Sequence, residues 1–413
     1  MNKKNLKKII FIMFFITVFS NGSLVAHAAT SKYEVTGWIP YWKSIDGTKD
    51  ANENLDKLHT IHPFGYSVNA DGTLNDLAKI NKSNTETATT KAWQQLFIAA
   101  RNKKVKIVPT ITWTNGTQID KILSNKTSRA KHIKEIAGIV KREKFDGINI
   151  DYENKLSKTK DNFSLFLKEL KKEIGSKKSL ACAIEARTPP ESYYKVIPTN
   201  LEYANDYKQI GKYCDRVQIM AYDQGRADFK LNEERAGNPY NPVADKDWVK
   251  KVVELAIKEI PKNKIILGVA TYGNEYEVTV APNWFKEYKK IRSVTPPQAL
   301  ATASTYKVTP SRNRAGEINY SYLVPKSTNE VNSLQTMLPQ LAVPPGTTSG
   351  DVIAQKALAF ANKTKQTTTF NLVWWSDATA IKDKLDLVRK FDLKGIAVFK
   401  IDAEEDSGIW NLF

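Results

Sequence analysis

The chain has 413 residues, 62 Lys and Arg against 44 Asp and Glu, a formal net charge of +18 and two cysteines. That length exceeds what one small core needs and suits one large α/β domain with an insertion, or two ordinary domains. Two cysteines exclude a disulfide-scaffolded fold, although Cys182 and Cys214 could form one bridge outside the cell, and the four histidines (His27, His59, His62, His132) lack metal-ligand spacing, so no metal or other cofactor is expected.

At the N-terminus, Lys3, Lys4, Lys7 and Lys8 precede an apolar run from residue 9 to 19, and Ala26-His27-Ala28 supplies small residues flanking a larger one. Residues 1–28 therefore read as a secretory signal peptide, with the mature chain expected to begin near Ala29. The apolar run is short for a membrane span, which needs about 20 residues; a retained anchor helix is the alternative. No cysteine precedes Cys182, so a lipid anchor on a cysteine after the signal is ruled out. Cleavage removes four lysines and no acids, lowering the charge from +18 to about +14. No nucleic-acid motif is present. The expected surroundings of a secreted, basic monomer are a polyanionic cell wall or spore, the alternative being a merely solvated basic surface.

From residue 33 onward, strand-like runs alternate with helix-like ones. The strand candidates are 35–42, 61–68, 105–113, 147–153, 180–187, 216–223, 265–273 and 395–401. Several are nearly continuous in apolar character, the mark of strands covered on both faces. Helical periodicity links Ile133, Ile136, Ala137 and Val140, then Phe163, Phe166, Leu167, Leu170 and Ile174 with Gly175 as a stop. A third stripe holds Val249, Val252, Val253, Ala256 and Ile260 with Asp247 as its cap, and a fourth holds Ile381, Leu385 and Val388 capped by Asp377. Eight such βα units predict an α/β fold of the (β/α)8 TIM-barrel type. A doubly wound sheet is the rival, weakened because no glycine-rich phosphate fingerprint follows the first strand. The spacing breaks once, in a Pro-, Thr- and Ser-rich stretch with short β-like pieces. The expected organisation is a leader (1–28), barrel strands one to seven (33–273), a small α+β insertion (274–370), and the last helix with strand eight (371–413).

The run Phe145-Asp146-Gly147-Ile148-Asn149-Ile150-Asp151-Tyr152-Glu153-Asn154 carries the chemistry. Strand side chains alternate faces, so Asn149, Asp151 and Glu153 share one face and Ile148, Ile150 and Tyr152 the other. Three polar residues on the inward face do not suit a core, because buried polar groups cost free energy unless paired. At the C-terminal end of a barrel strand that face opens into the mouth where active sites lie. The Asp151 and Glu153 backbones sit roughly 6–7 Å apart, close enough for Asp151 to stay charged while Glu153 holds its proton more tightly. The plain alternative is a strand end whose carboxylates pair with Lys155 or Arg142.

The segment Asp146-Gly147-Ile148-Asn149-Ile150-Asp151-Tyr152-Glu153 resembles the catalytic signature of glycoside hydrolase family 18, whose members are (β/α)8 barrels. Met220-Ala221-Tyr222-Asp223 is similar to the family's Met-x-Tyr-Asp element on the sixth strand, and the resemblance extends from about residue 33 to the C-terminus, including Trp374-Trp375-Ser376-Asp377 before the last helix. Asn149 and the run Tyr222-Asp223-Gln224-Gly225 look most like bacterial enzymes acting on spore or cell-wall peptidoglycan. Two positions depart from the pattern. Most chitinases of the family carry Asp where Asn149 stands, and Phe399 occupies the place of a Trp under the cleaved sugar, with Lys400 beside it.

The resemblance implies a retaining, substrate-assisted glycosidase acting on an N-acetylated polysaccharide such as chitin or peptidoglycan, with Glu153 as the acid and Asp151 and Tyr222 assisting. It implies substrate contacts from Asn149, Met220, Asp223 and Phe399. Among aromatics near strand ends (Trp38, Trp42, Tyr66, Trp113, Trp374, Trp375), Tyr66 and Trp113 are the favoured sugar platforms, with core packing as the alternative for each. Two other classes remain: a glycan-binding wall protein on a disabled or weak barrel, and an interaction protein working through its basic surface.

Overall fold

The computed structural model describes residues 33–81, 87–324 and 333–413; the leader expected over 1–28 lies outside them. The barrel strands before the insertion are, in chain order, β1 (Glu34–Pro40), β2 (Thr60–Val68), β3 (Thr110–Trp113), β4 (Gly147–Tyr152), β5 (Ser179–Glu185), β6 (Arg216–Met220) and β7 (Ile265–Ala270), with short strands Leu74–Asp76 and Lys106–Ile107 paired beside β2. An inserted antiparallel sheet follows, built of β8 (Gly273–Ala281), β9 (Trp284–Val294), β10 (Ser311–Arg312), β11 (Ile318–Tyr322) and β12 (Thr368–Trp375) in the spatial order β9-β8-β12-β11-β10. Last comes β13 (Gly395–Phe399), which pairs in parallel with both β7 and β1. Because β1 also pairs in parallel with β2, the eight strands β1–β7 and β13 close into a barrel. The fold is the (β/α)8 barrel that alternating strands and helices predict.

Packing follows from the alternation. Ile148, Ile150 and Tyr152 of β4 are fully buried under helices Lys126–Arg142 and Lys160–Ile174, whose apolar stripes (Ile133, Ile136, Val140; Phe163, Phe166, Leu167, Leu170) face the strands. Each such large side chain contributes roughly 1.5–3 kcal/mol by leaving water. Gly175, at φ 84°, ends the second helix as expected of a C-terminal glycine. The barrel interior is filled by a smaller cluster: Trp38, Ala183, Ile266 and Ala397, with Phe64, Met220 and Phe399 against it.

Three local departures have physical causes. The run 105–113 breaks into two paired pieces because Pro109 has no N–H to give the ladder, and its carbonyl instead accepts the Asn149 N–H at 2.8 Å. The helix Lys246–Ala256 is capped by Asp245, not Asp247; the buried Asp245 carboxylate accepts the Asp247 N–H at 2.8 Å, and Asp247 turns outward to Arg235 at 2.7 Å. The inserted sheet starts at Gly273 and runs past residue 370, because β12 is the strand that bridges β8 and β11. Cys182 and Cys214, open in the sequence, are joined by a disulfide with Cα atoms 6.1 Å apart, tying β5 to the turn before β6.

Candidate active site

β4 delivers the acidic side chains. It can pass close to β5 because a Cβ on Gly147 would collide with the Ser179 carbonyl. Asn149, fully buried, donates from Nδ2 to Thr110 Oγ1 on β3 at 3.1 Å, while its Oδ1 has no partner. Asp151 is 3% exposed, and its Oδ1 also lacks a partner. Glu153, one residue past the strand, is half-buried. Burial and the neighbouring Glu153 carboxylate push Asp151 up to about 8. Burial, then Glu185 and Asp223, raise Glu153 as well, against the pull of Lys155. Two acids this close on one strand face share their charge. Burial and mutual repulsion raise both acids, so the pair gives up its protons as a unit.

Neither Lys155 nor Arg142 pairs with these acids. Arg142 bonds the adjacent Glu143 at 2.9 Å, and Lys155 reaches Glu185 at 3.5 Å with no side-chain exposure of its own, its ammonium also donating to the Tyr152 carbonyl. Glu185, at the end of β5, accepts the Asn154 N–H at 3.0 Å and the Asn205 Nδ2 at 2.6 Å. Burial opposes its ionisation, but Lys155 and these donors hold it below the usual carboxylate range. Sequence reasoning missed Glu185 and Asn205, and offered Lys155 only as a partner of the strand's own carboxylates. A signal existed for one of them: Glu185 follows Ala181 and Ala183 on a single face of an otherwise apolar strand.

The opposite wall comes from β6 and β13. Tyr222 is half-buried, its ring stacked on Phe399 with centroids 5.7 Å apart and planes 11° apart. Burial and the fields of Asp151, Asp223 and Glu153 keep its hydroxyl neutral, a fixed donor at any ordinary pH. Asp223, exposed and in the left-handed region at φ 53°, accepts the Tyr272 hydroxyl at 2.7 Å. Tyr272, buried on the strand-seven side, was not foreseen either. Met220 and Phe399 are half-buried around Trp38 and form the floor. Lys400, unexpected beside Phe399, is engaged by Asp402 and lies away from the carboxylates' ion pairs.

Thus Asn149, Asp151, Glu153, Met220, Tyr222, Asp223 and Phe399 gather at the C-terminal mouth. Tyr66 and Trp113 do not. A β-bulge between Phe64 and Tyr66 advances β2 by one residue, so Phe64 points inward and Tyr66 (1% exposed) outward, where its hydroxyl donates to Asn81 at 3.1 Å. Trp113, on the same face as Ile111, packs edge-on to Tyr152 at 5.3 Å and beside His132 at 5.7 Å. Both are core residues under the helices. Trp374 and Trp375 lie within β12 and are buried too; Trp42 remains open at 49% exposure, edge-on to Phe64.

The site offers an acid held in a partly dry pocket, a buried partner on the same strand face, a neutral phenol opposite, and an aromatic floor. That combination protonates a leaving oxygen and cradles a positive centre. Similarity to known proteins agrees. The profile of Glycosyl hydrolases family 18 matches residues 6–404. An uncharacterised glycosylase of Bacillus subtilis, YvbX, is 21% identical over 317 residues, 75% of this chain and 74% of that protein. A cortical fragment-lytic enzyme of the same organism is 23% identical over 284 residues, 68% of this chain and 52% of its own. Among solved structures, the spore cortex-lytic enzyme SleL of Bacillus megaterium has a TM-score of 0.63 at 22% identity, covering 92% of this chain and 73% of that one. A chitinase of Chromobacterium violaceum has a TM-score of 0.63 at 17% identity, covering 92% and 97%. At such identities the solved structures speak for the shared fold. With residues 6–404 matched, this chain belongs to glycosyl hydrolases family 18.

Proposed function

We propose that this protein is a secreted, retaining glycosidase that cleaves a β-1,4-linked, N-acetylglucosamine-containing glycan with help from the substrate's own acetamido group. The observation that carries the reading is Glu153 and Asp151 on one face of β4, opposite the neutral Tyr222 hydroxyl. Glu153 gives its proton to the glycosidic oxygen as the acetamido carbonyl oxygen bonds the anomeric carbon and the glycosidic bond breaks. The unpartnered Asp151 Oδ1 is suited to the acetamide N–H, and Tyr222 to the acetamide oxygen. The proton the two acids share is the one Glu153 donates: the positive charge developing on the sugar favours Asp151 as the anion and leaves Glu153 ionised as the base for the next step. Water then attacks the anomeric carbon, Glu153 taking its proton, and the acetamido bond reopens with net retention. The basic chain and the names of the Bacillus relatives favour peptidoglycan over chitin.

The test is hydrolysis of peptidoglycan fragments and of 4-nitrophenyl chitooligosaccharides by wild type and Glu153→Gln. At least about a 100-fold loss of rate is expected in the variant. Wild-type rates in Glu153→Gln would remove that residue from the chemistry. Retention on the polymer with no reducing ends released by the unaltered protein would replace hydrolysis with binding alone.

A further inference from the structure

A parallel barrel sorts its connections by end. Each helix-to-strand turn enters its strand at the N-terminal end, so these turns gather on the base, opposite the mouth. Lysines scattered along the chain can therefore share one face. Six base connections, each taken from the last turn of a helix to the residue before the next barrel strand, are 99–109, 139–146, 171–178, 210–215, 253–264 and 388–394. Together they hold 18 Lys and Arg against 7 Asp and Glu. Residues 33–413 hold 57 against 44, the other five Lys lying before them, so these six short segments carry 11 of an excess of 13. Only the first connection, 50–59, is acidic, with one basic residue against three acids. The mouth has the opposite sign: loops 153–159, 186–206, 221–245 and 400–406 hold 8 basic residues against 13 acids.

Part of the basic excess serves the fold. A cation in the last turn of a helix complements its macrodipole, and the ammonium groups of Lys171 and Lys178 are held by Asp215 and by the Phe145 carbonyl. The dipole's effect fades beyond that turn, yet Lys103, Lys104, Lys144 and Lys177 lie past the helix ends. These four, with Lys141 and Lys172, are exposed and make no ion pair among the described residues. Like charges gathered on one face repel, a cost that a bound polyanion removes. A groove of about 640 Å³ between the helices Lys126–Arg142 and Lys160–Ile174 opens there, lined by Lys134, Lys141, Lys144 and Lys178, with Glu173 as its one acid.

The residue type points to the partner's chemistry. Fifteen of the 18 are Lys, a compact hydrated point charge, where a moulded carboxylate site would use the planar fork of Arg. Point charges spread over several turns suit a flexible chain of closely spaced anions. β4, six residues long, holds this face roughly 20 Å from Glu153, beyond the screening length of about 8 Å. An anion on the base therefore neither blocks the mouth nor shifts its acids. A glycan's own carboxylates travel with the bond that is cut and belong in the mouth. We propose that the base of the barrel is a docking face for a linear phosphodiester polymer of the cell wall, held by Lys103, Lys104, Lys141 and Lys144, which leaves the mouth free for glycan. The choice of a wall partner rests on the reading of the chain as a secreted glycosidase.

The test is titration of the protein with soluble poly(glycerol phosphate), which contains no glycan for the mouth, across a salt series, with polyglutamate as the carboxylate comparison. One variant combines Lys103→Gln, Lys104→Gln, Lys141→Gln and Lys144→Gln. A second changes the same four to Arg. A third carries Lys286→Gln, Lys289→Gln, Lys290→Gln and Lys307→Gln, exposed lysines of the inserted region that also lack ion pairs. The expected result is at least about a tenfold weaker affinity and a flatter salt dependence in the first variant alone, the other two staying within about threefold of the unaltered protein. The first variant should keep its thermal midpoint and its kcat/KM on a 4-nitrophenyl chitooligosaccharide. Equal weakening by both Gln variants overturns the proposal, because net charge and not the base would then govern binding. So does loss of binding in the Arg variant, absence of binding by the unaltered protein, or equal affinity for polyglutamate. Failure of the hydrolytic reading shows separately, as no turnover of the short substrate by the unaltered protein.

Discussion

Lys155 lies out of solvent with its ammonium 3.5 Å from Glu185, and this pair joins the loop after β4 to the end of β5. Burial lowers the Lys155 pKa, while Glu185, Asp151 and Glu153 hold its proton in place. A lysine two residues after Glu153 therefore serves as fixed counter-charge to a cluster of three carboxylates.

The two members of that pair act on Glu153 with opposite sign. Glu185 raises its pKa and Lys155 lowers it. The alkaline limb of the kcat/KM profile, which reports loss of the protonated acid, should move to higher pH in Lys155→Met and to lower pH in Glu185→Gln. Paired pH–rate profiles decide the matter. Movement of both limbs in one direction would show that the substitutions act through structure and not through charge.

Asp151 ties catalysis to stability. Its pKa rises from 3.8 to about 8 on folding, so between those values the native chain binds a proton that the unfolded chain has lost. The stabilising contribution is fully present below about pH 4 and is lost as pH rises through about 8, at no more than about 1.4 kcal/mol per pH unit. Asp151→Asn should then raise the melting temperature at pH 8 more than at pH 5, while lowering kcat by roughly 100-fold. A variant that melts below the unaltered protein at pH 8 would contradict this account.

The alternation of FDGINIDYEN made the catalytic strand legible, since Ile, Ile and Tyr outside and Asn, Asp and Glu inside leave one consistent orientation. Tyr66 was misplaced because a bulge has no reliable sequence mark and reverses the face of everything after it. Trp113 was misplaced for a related reason: Pro109 restarts the strand, and the phase of four residues is set by pairing with β4, with Thr110 opposite Asn149 and Trp113 opposite Tyr152. Lys155, Glu185 and Asn205 come from separate segments, and only the folded barrel shows that they share one charge network.

That correction separates two aromatics by experiment. Trp113→Ala should cost about 3–5 kcal/mol of stability, because it empties a core site against Tyr152 and His132, and leave KM nearly unchanged in the surviving folded fraction. Phe399→Ala removes the plane beneath Tyr222, so kcat/KM should fall by about tenfold or more with a smaller loss of stability. Denaturant midpoints and kinetics on one short substrate compare the two. The opposite pattern would return Trp113 to the cleft.

Glu317 joins the inserted sheet to the barrel. It has no exposure, and its carboxylate accepts the N–H groups of Val243 at 2.9 Å and Ala244 at 3.1 Å, the Trp374 indole N–H at 2.7 Å and the Ser376 hydroxyl. Lys384, 2% exposed on the helix Ala378–Phe391, approaches it at 3.8 Å without a hydrogen bond. Removing one partner of a buried pair strands the other charge, so Glu317→Ala should cost about 3–5 kcal/mol. Glu317→Gln keeps the shape and an acceptor oxygen but still strands the Lys384 ammonium, so Glu317→Gln combined with Lys384→Met should recover most of that loss. Urea unfolding of Glu317→Gln, Lys384→Met and the double variant tests the coupling, and simple additivity of the two single changes would show that the two side chains do not sense each other.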